Sequence, residues 1–169
     1  RYVESLIEDL KWDEKLSQGR KINTIFFGGG TPSIFSSNSI DQIITATDKL
    51  IGISPNAEIT IEANPGSTDK IKYDDFFSIG INRISIGVQS FQSEHLKSLG
   101  RIHSNKDAKD AILAATKAGF NNINIDLMHG LQNQNIREAK EDLKFAIDAG
   151  ANHISWYQLT IEPNTEFYS

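Results

Sequence analysis

Apolar residues recur at helical spacing in several stretches and alternate with polar ones in others. Ile40, Ile43, Ile44, Leu50 and Ile51 share one helical face, entered through Ser39 and Gln42 at capping-box spacing. Ala108, Ala111, Ile112 and Ala115 form a second face, and Ile136, Ala139, Leu143, Ala146 and Ile147 a third. A weaker pattern from Ile71 to Ile79 follows Thr68 as its cap. Between these lie β-rich runs near 23–28, 58–63, 82–89, 122–128 and 153–159. Strands that alternate with helices of ten or more residues are parallel and joined by crossovers.

A short repeat marks the returns to the sheet: Gly80-Ile-Asn-Arg-Ile-Ser, Gly119-Phe-Asn-Asn-Ile-Asn and Gly150-Ala-Asn-His-Ile-Ser. Each glycine stands just past a helical pattern, where a left-handed cap is wanted, and the asparagine turns the chain into the next strand. Three ordinary helix-to-strand loops account for the repeat.

The strands do not read as the continuous apolar runs of a sheet covered on both faces. Ile59, Ile61 and Ala63 alternate with Thr60, Glu62 and Asn64; Ile84, Ile86 and Val88 with Ser85, Gly87 and Gln89; Ile123, Ile125 and Leu127 with Asn124 and Asp126. A doubly wound sheet would bury the polar set without partners, whereas an open barrel lets it line a lumen. The expectation is an α/β fold, a partial parallel β/α (TIM-like) barrel with about five strands present and the first strand missing.

The 169 residues suit one domain spanning 1–169, truncated at both ends, since the chain starts without Met in a helical segment. A net charge of -5 with mixed signs argues against a nucleic-acid partner, and no apolar run approaches the roughly 20 residues of a membrane helix. With no cysteine there is neither a disulfide nor a thiolate metal site, and the cytoplasm is the default compartment. Unpaired edges at 23–28 and 153–159 invite self-association, which leaves room for a homo-oligomer.

In β/α barrels, ligand groups come from the C-terminal strand ends and the loops after them. Those positions hold Gly28-Gly29-Gly30-Thr31-Pro32, Glu62, Gln89, Asp126 and Thr160. The glycines admit a ligand close to backbone N–H groups, although a strained turn before Pro32 explains them nearly as well. Glu62 and Asp126 are inward carboxylates that need partners: a ligand's ribose hydroxyls or amino group, or an internal salt bridge to Arg83 or Arg101. Gln89 serves equally as a ligand contact or a core amide. Arg101, beside Gly100, can fork onto a ligand carboxylate or sit solvated on the surface. His95, His103, His129 and His153 show no metal-ligand spacing, and no residue set predicts a catalytic role for this chain.

The blocks FFGGGTPS, IEANPGS, INRISIGVQSF, LKSLGRIHS, NINIDLMHGL and YQLTIEPNT, in this order from about Ile22 onward, resemble the oxygen-independent coproporphyrinogen III oxidase-like family of radical S-adenosylmethionine proteins. IEANPG, GRIHS and YQLTIEP resemble its heme-chaperone branch, HemW, more than the decarboxylating oxidases. The resemblance implies a partial barrel and S-adenosylmethionine bound to a 4Fe-4S cluster on a CxxxCxxC loop, with heme or porphyrin as partner of the full-length protein. It sets Gly29, with Gly30 and Thr31, near the methionine part of the cofactor and Glu62 on a ribose hydroxyl. Gln89, Arg101 and Asp126 match positions used for a second adenosylmethionine, and Thr160 matches a contact by spacing. The cysteine loop and first strand would precede Arg1, and a C-terminal domain would follow Ser169. His129 and Gln132-Asn133 stand where the family has tyrosine and Pro-Gly. The resemblance implies a heme chaperone; the alternatives are a porphyrinogen oxidase that decarboxylates propionates or, without the resemblance, a generic β/α-barrel lyase. The chain alone is expected to be inactive.

Overall fold

The computed structural model describes residues 1–66 and 72–168. Helix α1 (Tyr2–Asp13) leads into β1 (Ile22–Phe27), followed by α2 (Ser37–Leu50), β2 (Ile53–Ala63), α3 (Tyr73–Ser78) and β3 (Arg83–Gln89). Two helices, α4 (Ser93–Ser98) and α5 (Asn105–Lys117), precede β4 (Ile123–His129); α6 (Ile136–Asp148) then leads to β5 (His153–Gln158). The strands are all parallel, lie in chain order β1-β2-β3-β4-β5, and curl into a half-barrel.

The alternation in the strands sorts the two faces as expected. Ile59, Ile61, Ile84, Ile86, Val88, Ile123, Ile125 and Leu127 are buried with Phe76, Ile112, Ala115 and Ala146 of the helices in one core. Thr60, Ser85 and Asn124 occupy the concave face, and although nearly inaccessible they are hydrogen-bonded to neighbouring polar groups. Helices α5 and α6 start where side chains satisfy their free N–H groups. Ser104 with Asp107 caps α5, and Asn135 with Glu138 caps α6, each as a reciprocal capping box.

Helix α2 differs from its expected start. Ser36, not Ser39, is the cap, and its hydroxyl accepts from the Ser39 N–H at 3.1 Å. Any of several adjacent polar residues could cap here, and the earliest one adds a further turn of helix. Strand β2 also begins earlier, at Ile53; Ile22 pairs with Ile53 but Thr24 with Glu58, so the segment around Pro55 loops out of register. The expected Thr68 cap and Ile71 lie outside the described residues, and α3 starts at Tyr73.

The three repeat glycines take φ of +96° (Gly80), +105° (Gly119) and +89° (Gly150), which only glycine adopts without strain. Two of the asparagines do more than turn the chain. The Asn82 amide accepts from Ile59 N–H and donates to Ala57 C=O, both at 2.8 Å, and Asn152 accepts from Ile123 N–H at 3.1 Å. Each extends the ladder of the neighbouring strand and so pins its register. In the turn after β4, Asn133 takes φ +60°, a left-handed conformation that asparagine tolerates. Among the described residues, no helix is long and apolar enough to cross a membrane.

Candidate functional site

A polar cleft of about 300 Å³ opens at the C-terminal ends of the strands, on the concave face. The loop after β1 contributes Gly29, Gly30 and Thr31; β2 contributes Glu62; and β3 contributes Gly87 and Gln89. Arg101 comes from the loop before α5, Asp126 from β4 and Tyr157 from β5. Every cofactor-binding residue expected from the sequence is therefore present except Thr160, which lies past the end of β5 and outside the cleft wall. A larger depression, about 660 Å³, surrounds Asp13, Arg20 and Ile22 at the start of β1. It lies at the end of the strands that barrels use for stability rather than chemistry.

Glu62 binds the glycine loop directly: its Oε2 accepts from the Gly29 N–H at 3.1 Å. Gly29 takes φ +116°, which accounts for a glycine there, and the space where its side chain would stand is open. The loop is held further by Lys72, whose Nζ donates to the carbonyls of Ser33 (2.9 Å) and Ile34 (3.0 Å), and by the Asn64 amide, which donates to Thr31 Oγ1. Asp126 is seated by the floor of the cleft. It accepts from Asn124 Nδ2 at 2.7 Å and from Ser85 Oγ at 3.2 Å. Among the described residues neither carboxylate forms an ion pair, and Arg83 instead lies 3.9 Å from Glu58. The internal salt bridge that would make these acids scaffold is thus not formed with Arg83 or Arg101.

Gln89 sits in an unusual turn. The pairing of β3 with β4 slips between Ile86 and Gln89, a bulge that re-aims the end of the strand. Ser90 N–H then donates back to Val88 C=O at 2.9 Å across Gln89, whose φ is +69°. This is the rare γ-turn geometry, and a left-handed conformation costs a non-glycine residue about 1–2 kcal/mol. The side chain, only 4% exposed, accepts through Oε1 from the Tyr157 hydroxyl. Burial, with Asp126 nearby, raises the Tyr157 pKa, so the phenol stays a proton donor.

Asn64, Gly87 and Tyr157 also line the cleft; the first two share the polar parity of Glu62 and Gln89, but no spacing marks any of the three as a ligand contact. Tyr157 shares strand parity with Ser155 on the polar face of β5, a signal masked by its aromatic character. Gly87 has the plainest role once neighbours are visible. A Cβ there would stand 3.1 Å from both Asn64 Oδ1 and Gln89 Nε2, and 3.6 Å from Arg101 Nη2. Three polar side-chain ends thus converge over a stretch of bare backbone. Gly87→Ala is expected to lower ligand affinity about tenfold, the worth of one hydrogen bond, because the methyl displaces both amides. The apo melting temperature should hold, since both amides end flexible side chains and losing glycine stiffens the unfolded chain. Calorimetric titration and a thermal scan of the variant check this.

His103 is buried behind the same turn, with Nε2–H donating to Val88 C=O at 3.0 Å. Burial lowers its pKa, so the folded protein resists a proton that the unfolded chain accepts below about pH 6.5. Stability should therefore fall as pH drops through about 6.5, the unfolded value. Burial raises the pKa of Asp142, which acts oppositely, adding stability on acidification, in a window that begins above the carboxylate's unfolded value of about 3.9. Urea midpoints across this range should show a flatter profile for His103→Gln than for the native protein.

The chain has counterparts among known proteins. The Radical SAM superfamily model matches residues 3–146. The heme chaperone HemW of Escherichia coli (strain K12) is 48% identical over 168 residues, covering 99% of this chain and 44% of the relative. HemW of Haemophilus influenzae is likewise 48% identical, over 170 residues, covering 98% and 44%. The chain therefore spans less than half the length of these relatives. Among solved structures, coproporphyrinogen III oxidase (HemN) from Escherichia coli superposes with a TM-score of 0.78 at 24% identity, covering 94% of this chain and 38% of its own, which is a likeness of fold.

Proposed function

This chain belongs to the radical SAM superfamily, and on that premise we propose that its cleft holds S-adenosylmethionine in a HemW-like protein serving heme delivery. The observation that carries the reading is the convergence of Glu62, Asp126, Arg101 and Gln89 on one cleft, the last two over the bare backbone of Gly87. Adenosylmethionine presents a carboxylate, an ammonium, a sulfonium cation and a ribose diol. Arg101 and the Gln89 amide are donors suited to the carboxylate, and Glu62 and Asp126 are acceptors suited to the ammonium and the diol. Two carboxylates against one guanidinium leave these residues one negative charge in excess, which favours a sulfonium. The residues present fit the cofactor.

They do not fit the 4Fe-4S cluster, because its thiolate ligands cannot come from a chain without cysteine. The cysteines would lie elsewhere in the protein. When bound to such a cluster, adenosylmethionine supplies an adenosyl radical. The residues of this chain bind and orient it: the glycine loop gives close backbone approach, and the Glu62 carboxylate ties that loop to the end of β2.

Heme as the cargo rests on the relatives named heme chaperones. The cytoplasm is the compartment proposed. Titration of the intact protein with adenosylmethionine and with heme tests the proposal, and an assay with coproporphyrinogen separates it from a decarboxylating oxidase. Stoichiometric binding of both ligands without decarboxylation is the expected result. Absence of adenosylmethionine binding in the cluster-loaded protein overturns it.

A further inference from the structure

We infer that Asp142, on helix α6 outside the barrel, is a positioning residue that holds Gln89 toward the ligand; this rests on the reading of the cleft just proposed. A left-handed non-glycine residue persists only where its surroundings over-determine it. The Gln89 turn is gripped on both sides. Ahead of it, Val88 C=O accepts from His103. Behind it, Ser90 Oγ donates to Asp142 Oδ2 at 2.6 Å and Phe91 N–H to Asp142 Oδ1 at 2.8 Å. Ser90 Oγ in turn accepts from Gln92 N–H at 3.0 Å, and Asn105 donates to Phe91 C=O. Asp142 alone in this set binds two consecutive residues, with one oxygen for each.

The carboxylate is out of place as a helix residue. It falls three positions after Ala139 and four before Ala146, on the apolar stripe that faces the core, and is 1% exposed. Helix α6 has no need of it, since Asn135 and Glu138 already form its capping box. Burying a carboxylate is costly, and an apolar residue would continue the stripe. What the acid adds is a clamp on residues 90 and 91, which transmits to the strained Gln89 immediately before them at the end of β3. Gly would take the turn without strain, but it would lack the amide that meets Tyr157 and projects over Gly87.

The test uses the intact protein, with adenosylmethionine as probe, and the variants Asp142→Ala and Asp142→Leu, alone and combined with Gln89→Ala. The leucine variant continues the apolar stripe, removes both hydrogen bonds and serves if alanine prevents folding. Crystal structures of the single variants report the Gln89 backbone, and calorimetry reports affinity. Gln89 should leave its positive φ, with affinity falling about tenfold in the native background and less than about twofold when Gln89 is already alanine. An unchanged Gln89 conformation overturns the inference, as does an equal loss of affinity in both backgrounds, which would mean that Asp142 acts on the fold at large. If Gln89→Ala alone leaves affinity unchanged, the ligand reading of Gln89 fails, while the crystal structures still decide whether Asp142 sets its conformation.

Discussion

Glu62→Gln in the intact, cluster-loaded protein should weaken adenosylmethionine binding roughly ten- to a hundredfold without lowering the apo melting temperature. The amide keeps the shape of the side chain but removes the charge that strengthens a hydrogen bond to a ligand hydroxyl or ammonium, a loss of about 1.5–3 kcal/mol. Stability should hold because Glu62 forms no ion pair among the described residues, and its hydrogen bond from Gly29 N–H survives if the amide oxygen faces that group. Calorimetric titration and a thermal scan on the same preparation read both effects. A fall in melting temperature with affinity intact would make Glu62 a strut between β2 and the glycine loop, and the cleft would lose its leading ligand group.

The opposite pattern is expected from Phe76→Ala. Phe76 on α3 is fully buried in the outer core, away from the concave face. Truncation removes apolar contact and leaves a cavity, costing about 3–5 kcal/mol. For a domain of this size that corresponds to a melting temperature lower by roughly 6–20 °C. Below its melting point the variant should bind adenosylmethionine as the native protein does, because none of the groups lining the cleft belongs to α3. Denaturation curves and titration at low temperature check the two halves. Affinity lost in proportion to stability would show that the outer core and the inner face are not separable.

The separation of these two effects follows from the strand pattern, which is legible in the chain itself. A period of two places Ile59, Ile61, Ile84 and Ile86 on one side and Glu62, Ser85 and Gln89 on the other, and a one-residue slip would exchange every side chain. The strand order, the positive φ of the repeat glycines and the inward facing of Glu62 and Asp126 all follow from patterning and backbone sterics, which are local. Start points were less legible, since Ser36 and Ser39 are equivalent as caps until the preceding loop is placed.

Local pattern determined the faces of the sheet, the elements and most of the residues at the cleft. Tertiary structure decided what no spacing encodes. Asp142 lies 52 residues from Ser90 in sequence, yet binds it at 2.6 Å. Tyr157 of β5 reaches Gln89 of β3 across the one strand between them, and three side-chain ends from separate elements converge over Gly87. Thr160, expected from spacing, falls outside the wall because the chain leaves the sheet at Gln158. Periodicity reports which way a side chain points, because that depends only on its own backbone. Which groups meet depends on how strands register and bulge against one another, and this is settled only when the sheet curls and packs against its helices.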